Sequence, residues 1–208
     1  MPRLVAFGCS ITYGQFLSDN LNNEKPSDYA YPALIAKRLN LEIVNNAVIA
    51  SGNLQILLDV LNFEFFPTDR VIIGWSYFSR YDKLQFTDYL GNTDILSMHS
   101  IDHKRAVLEE LYGVNKYYDY NNFFKNWLVV HHAHSYLSSK KIINHGVRLG
   151  FDNHPHTMVP KYIKELNFLN INLKFIDFAQ DSKHPGQKTH EYYAEQLYNY
   201  ITTEVSNA

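Results

Sequence analysis

The stretch LVAFGCSITYG, at positions 4–14, joins a short apolar run to a polar turn. The run LVAF is continuous and apolar, as expected of a strand that is buried on both faces of a parallel sheet. The turn GCSITYG follows directly, and it has a glycine at each end. We therefore predict that the fold begins with a buried strand, and that Ser10 lies at the carboxyl end of this strand.

Further segments extend this pattern along the chain. Four of them are short and apolar and are predicted as strands two to five: LEIVN (Leu41–Asn45), RVIIG (Arg70–Gly74), KKIINHGV (Lys140–Val147) and NLKFIDF (Asn172–Phe178). Three others have apolar residues at helical spacing: Asp28–Leu39, Leu54–Phe65 and His190–Val205. Strands that alternate with helices predict βαβ units. The expected fold class is therefore α/β, a three-layer α/β/α sandwich around a five-stranded parallel sheet.

The segment from Arg80 to Ser139 breaks this pattern. It has a polar stretch, Gln85–His103, followed by helical spacing over Lys104–Leu111 and Asn121–Leu137. We interpret residues 80–139 as a helical insertion or lid between strands three and four. The chain has no repeat and no Gly/Ser linker, and 208 residues suit one core better than two. We therefore predict a single domain over residues 1–208.

Composition narrows the classes of partner. With 19 basic and 21 acidic residues the net charge is −2, which gives no electrostatic footprint for nucleic acid or an anionic membrane. The single cysteine, Cys9, cannot form an internal disulfide. No apolar window reaches about 18 residues, and the N-terminal segment MPRLVAFGCS has too few apolar residues for a signal peptide. We expect a cytoplasmic or otherwise soluble protein that binds neither nucleic acid nor membrane.

Two polar segments carry residues suited to nucleophilic catalysis. Ser10 lies at a strand end, where open α/β sheets bind their ligands. The second segment, DSKHPG, precedes the last helix at the same edge of the predicted sheet. A serine nucleophile needs a base, and the base needs a partner that fixes its tautomer. Asp181 and His184, three residues apart on one loop, can supply both. The alternative is that Ser10 is a helix N-cap and the loop is a solvated surface loop.

The order of these two segments resembles the SGNH/GDSL hydrolase family. Members have Gly-x-Ser-x-x-x-Gly after strand one and Asp-x-x-His before the last helix, and the resemblance runs from end to end of this chain. It implies a flavodoxin-like strand order 2-1-3-4-5, no cofactor or metal, and Ser10, His184 and Asp181 as the catalytic residues. Cys9 stands where the family usually has Asp, a difference that leaves the serine intact.

The family's second motif gives a backbone N–H to the oxyanion hole, from a glycine after strand two. It corresponds here to NNAVIASGN, Asn45–Asn53. By its spacing from Asn45, Ala50 takes the donor position, whereas Gly52 takes it if the loop is longer. The resemblance also implies the backbone N–H of Ser10 as a donor. A backbone donor survives a change from Gly to Ala where φ is compatible.

The third motif gives an Asn side chain after strand three and corresponds to GWSYFSR, Gly74–Arg80. Ser76 stands where Asn is expected, and its hydroxyl can donate one hydrogen bond with a shorter reach. Losing one such donor costs roughly 10²–10³ in turnover. Trp75 and Arg80 are candidate substrate contacts. The alternative for both Trp75 and Trp127 is a place in the core, and we interpret Trp127 in this way.

The resemblance implies a serine esterase or acylhydrolase that hydrolyses a small ester through an acyl-enzyme. The family acts on lipid esters, thioesters, O-acetylated sugars and aryl esters, so the substrate is a small-molecule or glycan ester. Tyr and Trp near the motifs favour an O-acetyl group on a carbohydrate. The alternative is a non-catalytic module of the same fold that binds glycan or a protein partner, which Ser76 in place of Asn supports. A phosphate-binding protein is disfavoured because GCSITYG has no lysine.

Two further signals are weighed and set aside. The clusters HHAH (His131, His132 and His134) and HPH (His154 and His156) suggest a metal. Their spacing and the lack of a nearby acidic residue favour solvated or capping histidines, so no metal is predicted. Cys9 beside Ser10 suggests a thiol nucleophile, but the glycine spacing matches Ser10.

Overall fold

The computed structural model describes residues 1–76, 80–86, 93–99, 116–148, 168–169 and 175–206, with side chains described over 1–76, 124–147 and 175–203. The elements are, in chain order, β1 (Arg3–Gly8), α1 (Ser10–Tyr13), α2 (Tyr31–Leu39), β2 (Glu42–Asn45), α3 (Asn53–Asn62), β3 (Arg70–Trp75), β4 (Arg80–Phe86), β5 (Thr93–His99), α4 (Lys116–Ser139), β6 (Ile143–Arg148), β7 (Phe168–Leu169) and α5 (Gln187–Ser206).

The central sheet contains the first four predicted strands, and every pair of neighbours is parallel. β1 lies between β2 and β3, and β6 pairs with the other side of β3. Val5 pairs with Val44 on one side and with Val71 on the other. The α/β class and the strand order 2-1-3-4 are therefore confirmed, as expected of apolar strands buried on both faces.

The predicted fifth strand, Asn172–Phe178, is described only over residues 175–178, and these do not form a strand. The N–H groups of Ile176 and Asp177 donate to the Thr189 hydroxyl at 2.9 and 3.0 Å instead of to a neighbouring strand. The two-residue strand β7 pairs in parallel with β6 a little earlier in the chain. A five-stranded sheet with a full-length fifth strand stays a prediction.

Helices pack on both faces of the sheet because successive strand residues point to opposite faces. Val5, Phe7, Val71 and Ile73 join α3 and α4 in one core. The opposite face carries a second core with α2 and α5; its fully buried members include Leu4, Ile35, Ile72, Tyr193 and Leu197. These two cores give the three predicted layers. Among the described helices, none is both long and apolar enough to cross a membrane.

The segment predicted as an insertion or lid contains an antiparallel hairpin and a long helix. β4 and β5 pair along their length, from Arg80 opposite His99 to Phe86 opposite Thr93. This hairpin was not predicted, because the polar stretch shows no apolar alternation. α4 covers the predicted helix Asn121–Leu137, whereas the one predicted at Lys104–Leu111 lies outside the described residues.

Helix α4 is part of the core. Its residues Trp127, Val130, Ala133 and Leu137 are buried with α3 and β3, so the interpretation of Trp127 as a core residue is confirmed. α4 therefore takes the place of the crossover helix between β3 and β6. The role of residues 80–139 as a lid stays a prediction, and so does the single domain.

Candidate active site

Ser10 is the first residue of α1, immediately after the turn that ends β1. Gly8 has no room for a side chain: a Cβ there would lie 2.1 Å from Thr12 Oγ1 and 2.9 Å from the Gly74 carbonyl oxygen. Gly14 ends α1 with φ 76°, a left-handed backbone that favours glycine. Both glycines of the motif are thus needed to form the turn that presents Ser10.

The Ser10 hydroxyl forms a hydrogen bond with His184 across the two ends of the chain. Ser10 Oγ lies 3.0 Å from His184 Nε2, and His184 Nδ1 lies 2.6 Å from Asp181 Oδ2. The side chains of His184 and Asp181 are 25% and 18% exposed, so the chain of hydrogen bonds is partly shielded from solvent. The three residues predicted as a unit are therefore brought together by the fold. The N-cap of α1 is Cys9, so the alternative in which Ser10 caps the helix is wrong.

Asp181 is held as a carboxylate by its own loop. Its second oxygen, Oδ1, accepts hydrogen bonds from the backbone N–H groups of Lys183 (3.1 Å) and His184 (3.0 Å). Burial by itself would raise the pKa of Asp181. The hydrogen bonds from His184 and Lys183 outweigh it, and the pKa lies below its ordinary value. Ser182 allows the tight turn by adopting φ 58°.

Asp177 anchors the loop that carries Asp181 and His184, a role that the sequence did not reveal. Its carboxylate accepts hydrogen bonds from the N–H groups of Lys188 (3.0 Å) and Thr189 (2.8 Å) in the first turn of α5. Burial would raise the pKa of Asp177, but the Thr189 hydroxyl and these N–H groups lower it below the ordinary value. The carboxylate also fills the space beside Gly186, where a Cβ would lie 2.5 Å from Asp177 Cγ.

The loop between β2 and α3 contains both residues predicted as backbone donors, and it is tied to the Ser10 turn. Asn45 Nδ2 donates to the Thr12 carbonyl at 2.9 Å, and the Val48 N–H donates to the Gly8 carbonyl at 3.0 Å. Ala50 adopts φ 66°, the left-handed region that favours glycine. Gly52 is extended and precedes α3. A glycine-like backbone at Ala50 favours this residue over Gly52 as the counterpart of the family's glycine.

Ser76 follows β3 and is hydrogen-bonded to Asn53, which in turn bonds Asn126. The Ser76 N–H donates to Asn53 Oδ1 at 2.8 Å, while Asn53 Nδ2 donates to Asn126 Oδ1 at 2.7 Å. Ser76 is 1% exposed, and its hydroxyl has no hydrogen-bond partner within the described part of the chain. β3 pairs with β1 so that Gly74 lies opposite Gly8, which places Ser76 and Ser10 at the same edge of the sheet. Nothing in the sequence pattern indicated that Asn53 and Asn126 would lie near this site.

The prediction that Trp75 contacts substrate is wrong. Its side chain is 0% exposed and lies in the same core as Val71 and Ile73, four and two residues earlier on β3. Strand alternation alone determines this face, so Trp75 points away from solvent. The side chain of Arg80, the other candidate contact, lies outside the described residues.

The histidines of the HHAH cluster lie on α4. His134 is buried, and its Nδ1 forms a hydrogen bond with Asn144 Oδ1. Burial lowers the pKa of His134. No group of three side chains that could hold a metal occurs within the described residues, and His154 and His156 lie outside them. Cys9 is 2% exposed and packs in the core with Ile11, whereas Ser10 reaches His184.

The comparisons with known proteins concern the fold. No protein-family model matches the sequence, and no curated protein matches it. One similar structure is a carbohydrate esterase whose active site displays divergent catalytic and non-catalytic binding functions (15% identity, TM-score 0.61). Another is the acetyl xylan esterase Est2A from the rumen bacterium Butyrivibrio proteoclasticus (15% identity, TM-score 0.60).

These matches cover 97% and 98% of this chain, but 65% and 64% of the two esterases, less than two thirds of their length. A lipolytic protein of the G-D-S-L family from Desulfitobacterium hafniense is similar over 95% of this chain and 98% of its own (16% identity, TM-score 0.49). The chain shares the fold of these two esterases. Within this fold, Ser10 lies after the first strand and Asp181 and His184 lie before the last helix.

Proposed function

We propose that this chain is a serine esterase that removes a small acyl group through an acyl-enzyme. The observation that carries the proposal is the continuous chain of hydrogen bonds from Ser10 Oγ to His184 (3.0 Å) and from His184 to Asp181 (2.6 Å). Ser10 and His184 are 174 positions apart in sequence. A binding module has no physical need for a nucleophile, a base and a carboxylate in this geometry.

The reaction uses each of these three side chains in a defined step. His184 Nε2 takes the proton of Ser10 as Ser10 Oγ attacks the ester carbonyl, and Asp181 stabilises the imidazolium that forms. The same histidine then gives the proton to the leaving alcohol. Water, activated by His184, hydrolyses the acyl-enzyme in the second half of the reaction.

The tetrahedral oxyanion is stabilised by hydrogen-bond donors at the same edge of the sheet. In this proposal the donors are the backbone N–H groups of Ser10 and of Ala50 or Gly52, together with the Ser76 hydroxyl. The left-handed backbone at Ala50 supports this assignment, as does the Ser76 hydroxyl, for which no hydrogen-bond partner occurs among the described residues. Donors of this kind act most strongly where they are fixed before the reaction, as a buried side chain at a strand end is.

The proposed substrate is an O-acetyl group on a carbohydrate. Two proteins of similar fold are described as a carbohydrate esterase and an acetyl xylan esterase, which supports this class. The proposal makes no use of a metal or cofactor, because an activated serine and an oxyanion hole suffice for hydrolysis of an ester. The chain would act on a small-molecule or glycan ester.

A second candidate is a non-catalytic module of the same fold that binds glycan. Ser76 in place of the expected Asn favours it, because a hydroxyl reaches less far than an amide. One of the similar esterases combines catalytic and non-catalytic binding functions in its active site. The intact Ser10–His184–Asp181 geometry makes the esterase the stronger proposal.

Hydrolysis of p-nitrophenyl acetate tests the proposal. Wild type is compared with Ser10→Ala and His184→Ala, with Ser138→Ala as the matched control because Ser138 is an exposed serine on α4. We expect kcat to fall by several orders of magnitude in both site variants and to remain unchanged in the control. Equal, slow hydrolysis by wild type and Ser10→Ala would favour the binding module, and a glycan array would then replace the enzyme assay.

A further inference from the structure

Phe16 lies beside the catalytic histidine in a backbone conformation that bulky residues rarely adopt. Its φ is 62°, in the left-handed region, although it is not glycine. A bulky residue at positive φ is an outlier, and such outliers concentrate at ligand-binding sites. Ala50 and Ser182, in the other two loops at this edge of the sheet, share the same conformation. Three of the six described non-glycine residues with positive φ therefore lie at this edge of the sheet.

Both the ring and the backbone of Phe16 contact the loop that carries the histidine. The centroid of the phenyl ring lies 5.7 Å from that of the His184 imidazole, at an interplanar angle of 52°. The Phe16 carbonyl accepts a hydrogen bond from the Gln180 N–H at 3.3 Å. The side chain is half-buried, so part of the residue remains open to solvent beside the imidazole.

The position of the ring relates it to one half of an ester. In the proposed reaction the Ser10 Oγ–acyl bond forms and the acyl–alcohol bond breaks, while His184 transfers the Ser10 proton to the alcohol oxygen. The alcohol oxygen must therefore lie next to the imidazole, because it receives the proton directly from it. The carbons bonded to this oxygen lie close to the imidazole for the same reason. A phenyl ring at this distance from the imidazole is within reach of those carbons.

We propose that Phe16 determines specificity for the alcohol half of the ester, an inference that rests on the proposed function. The ring favours an alcohol with a broad face of C–H groups or an aromatic ring, such as a sugar or a benzyl alcohol, over a small one. It does not contact the acyl group. Phe16 thus acts by contacting substrate, in addition to holding the loop of His184.

Two series of esters test this assignment in wild type, Phe16→Ala, Phe16→Leu and Phe16→Tyr. One series varies the alcohol, with methyl acetate, benzyl acetate and an acetylated methyl xyloside. The other varies the acyl group, with benzyl acetate and benzyl butyrate. We expect Phe16→Ala to lower kcat/KM for benzyl acetate and the xyloside about tenfold more than for methyl acetate. The ratio between benzyl acetate and benzyl butyrate stays that of wild type, and Phe16→Tyr keeps the alcohol preference.

The matched control is Asn23→Gly, which replaces another residue of left-handed backbone, φ 55°, whose side chain has no role in the proposed reaction. Its kinetics should equal those of wild type. An equal loss for all three alcohols in Phe16→Ala would show a purely structural role, and a changed acyl preference would place the ring on the acyl side. Either result overturns the inference.

Two further measurements keep these outcomes separate from misfolding and from failure of the proposed function. If thermal melting shows that Phe16→Ala is unfolded, Phe16→Leu decides, with a smaller selective loss expected because its volume is similar. Labelling of Ser10 by a fluorophosphonate is followed in every variant. A wild type that is not labelled contradicts the esterase itself, whereas labelled variants with uniform kinetics contradict only the role of Phe16.

Discussion

At the scale of single residues, hydrogen bonds fix the orientation of the side chains that form the site. Asp181 uses one carboxylate oxygen for the His184 ring and the other for two backbone N–H groups. The sequence identified Ser10, Asp181 and His184 because each lies within a short contiguous motif. It could not identify Phe16, whose contact with His184 joins residues far apart in sequence.

Replacing Asp181 with Asn tests the charge separately from the shape. The amide fits the same space, but it cannot stabilise an imidazolium as a carboxylate does. We expect kcat for p-nitrophenyl acetate to fall about 10³–10⁴-fold. Circular dichroism should show an unchanged fold. A loss of less than tenfold would mean that Asp181 only shapes the loop.

Replacing Ser76 with Ala tests the proposed oxyanion donor. Because the Ser76 hydroxyl has no hydrogen-bond partner in the described part of the chain, its removal leaves no described polar group unpaired. We expect the free energy of unfolding to change by less than about 1 kcal/mol, and kcat to fall roughly 10²–10³-fold. Wild-type kcat in this variant would exclude Ser76 from the oxyanion hole.

Replacing Ala50 with Gly tests the interpretation of this position as a glycine site. At φ 66° an alanine Cβ is strained, and glycine relieves the strain at the expense of a more flexible unfolded chain. We expect the variant to be up to about 1 kcal/mol more stable in urea unfolding, with kcat retained. Destabilisation by more than this amount would contradict the left-handed assignment.

At the scale of elements, the helix after the Asp–His loop is fixed by polar contacts at its first turn. Asp177 caps α5, and His190 in the same turn accepts a hydrogen bond from the Tyr31 N–H at the start of α2 (3.1 Å). His190 also stacks on Tyr31, with ring centroids 6.1 Å apart. These contacts hold the loop of His184 against α2.

The pH dependence of stability tests the role of His190. Complete burial lowers the pKa of His190 to about 3, so the folded protein keeps it neutral. In the unfolded chain His190 binds a proton near pH 6.5. The contribution of buried, neutral His190 to stability is therefore present above that pH and is lost as the pH falls toward 3. His190→Asn keeps an acceptor but does not titrate. We expect urea unfolding to show a weaker loss of stability between pH 6.5 and 4 in this variant, and equal slopes would contradict the account.

At the scale of the whole molecule, the predicted parts are those that local pattern determines. The apolar runs that became β1 and β3 are buried on both faces, and similar runs became β2 and β6 beside them, so the apolar pattern indicated a parallel sheet. The hairpin of β4 and β5 has no such pattern and was missed. The fifth strand was expected where the Ile176 and Asp177 N–H groups turn to Thr189 instead.

The parts that could not be predicted depend on contacts between distant segments. Trp75 was a candidate substrate contact because a tryptophan can stack on a sugar ring, but its position on β3 places its side chain in the core. Asn53 and Asn126 lie on different helices, and Asn53 bonds both Asn126 and the Ser76 N–H. The spacing of residues along the chain does not predict such tertiary contacts, whereas the Gly-x-Ser and Asp-x-x-His motifs are each local.

The central claim is that Ser10 is an activated nucleophile, and covalent labelling tests it most directly. Wild type, Ser10→Ala and His184→Ala are incubated with a fluorophosphonate, and the modified peptide is mapped by mass spectrometry. We expect a single adduct on Ser10 in wild type, none in Ser10→Ala, and labelling slowed by orders of magnitude in His184→Ala. An unlabelled wild type, or equal labelling of wild type and Ser10→Ala, would contradict the claim.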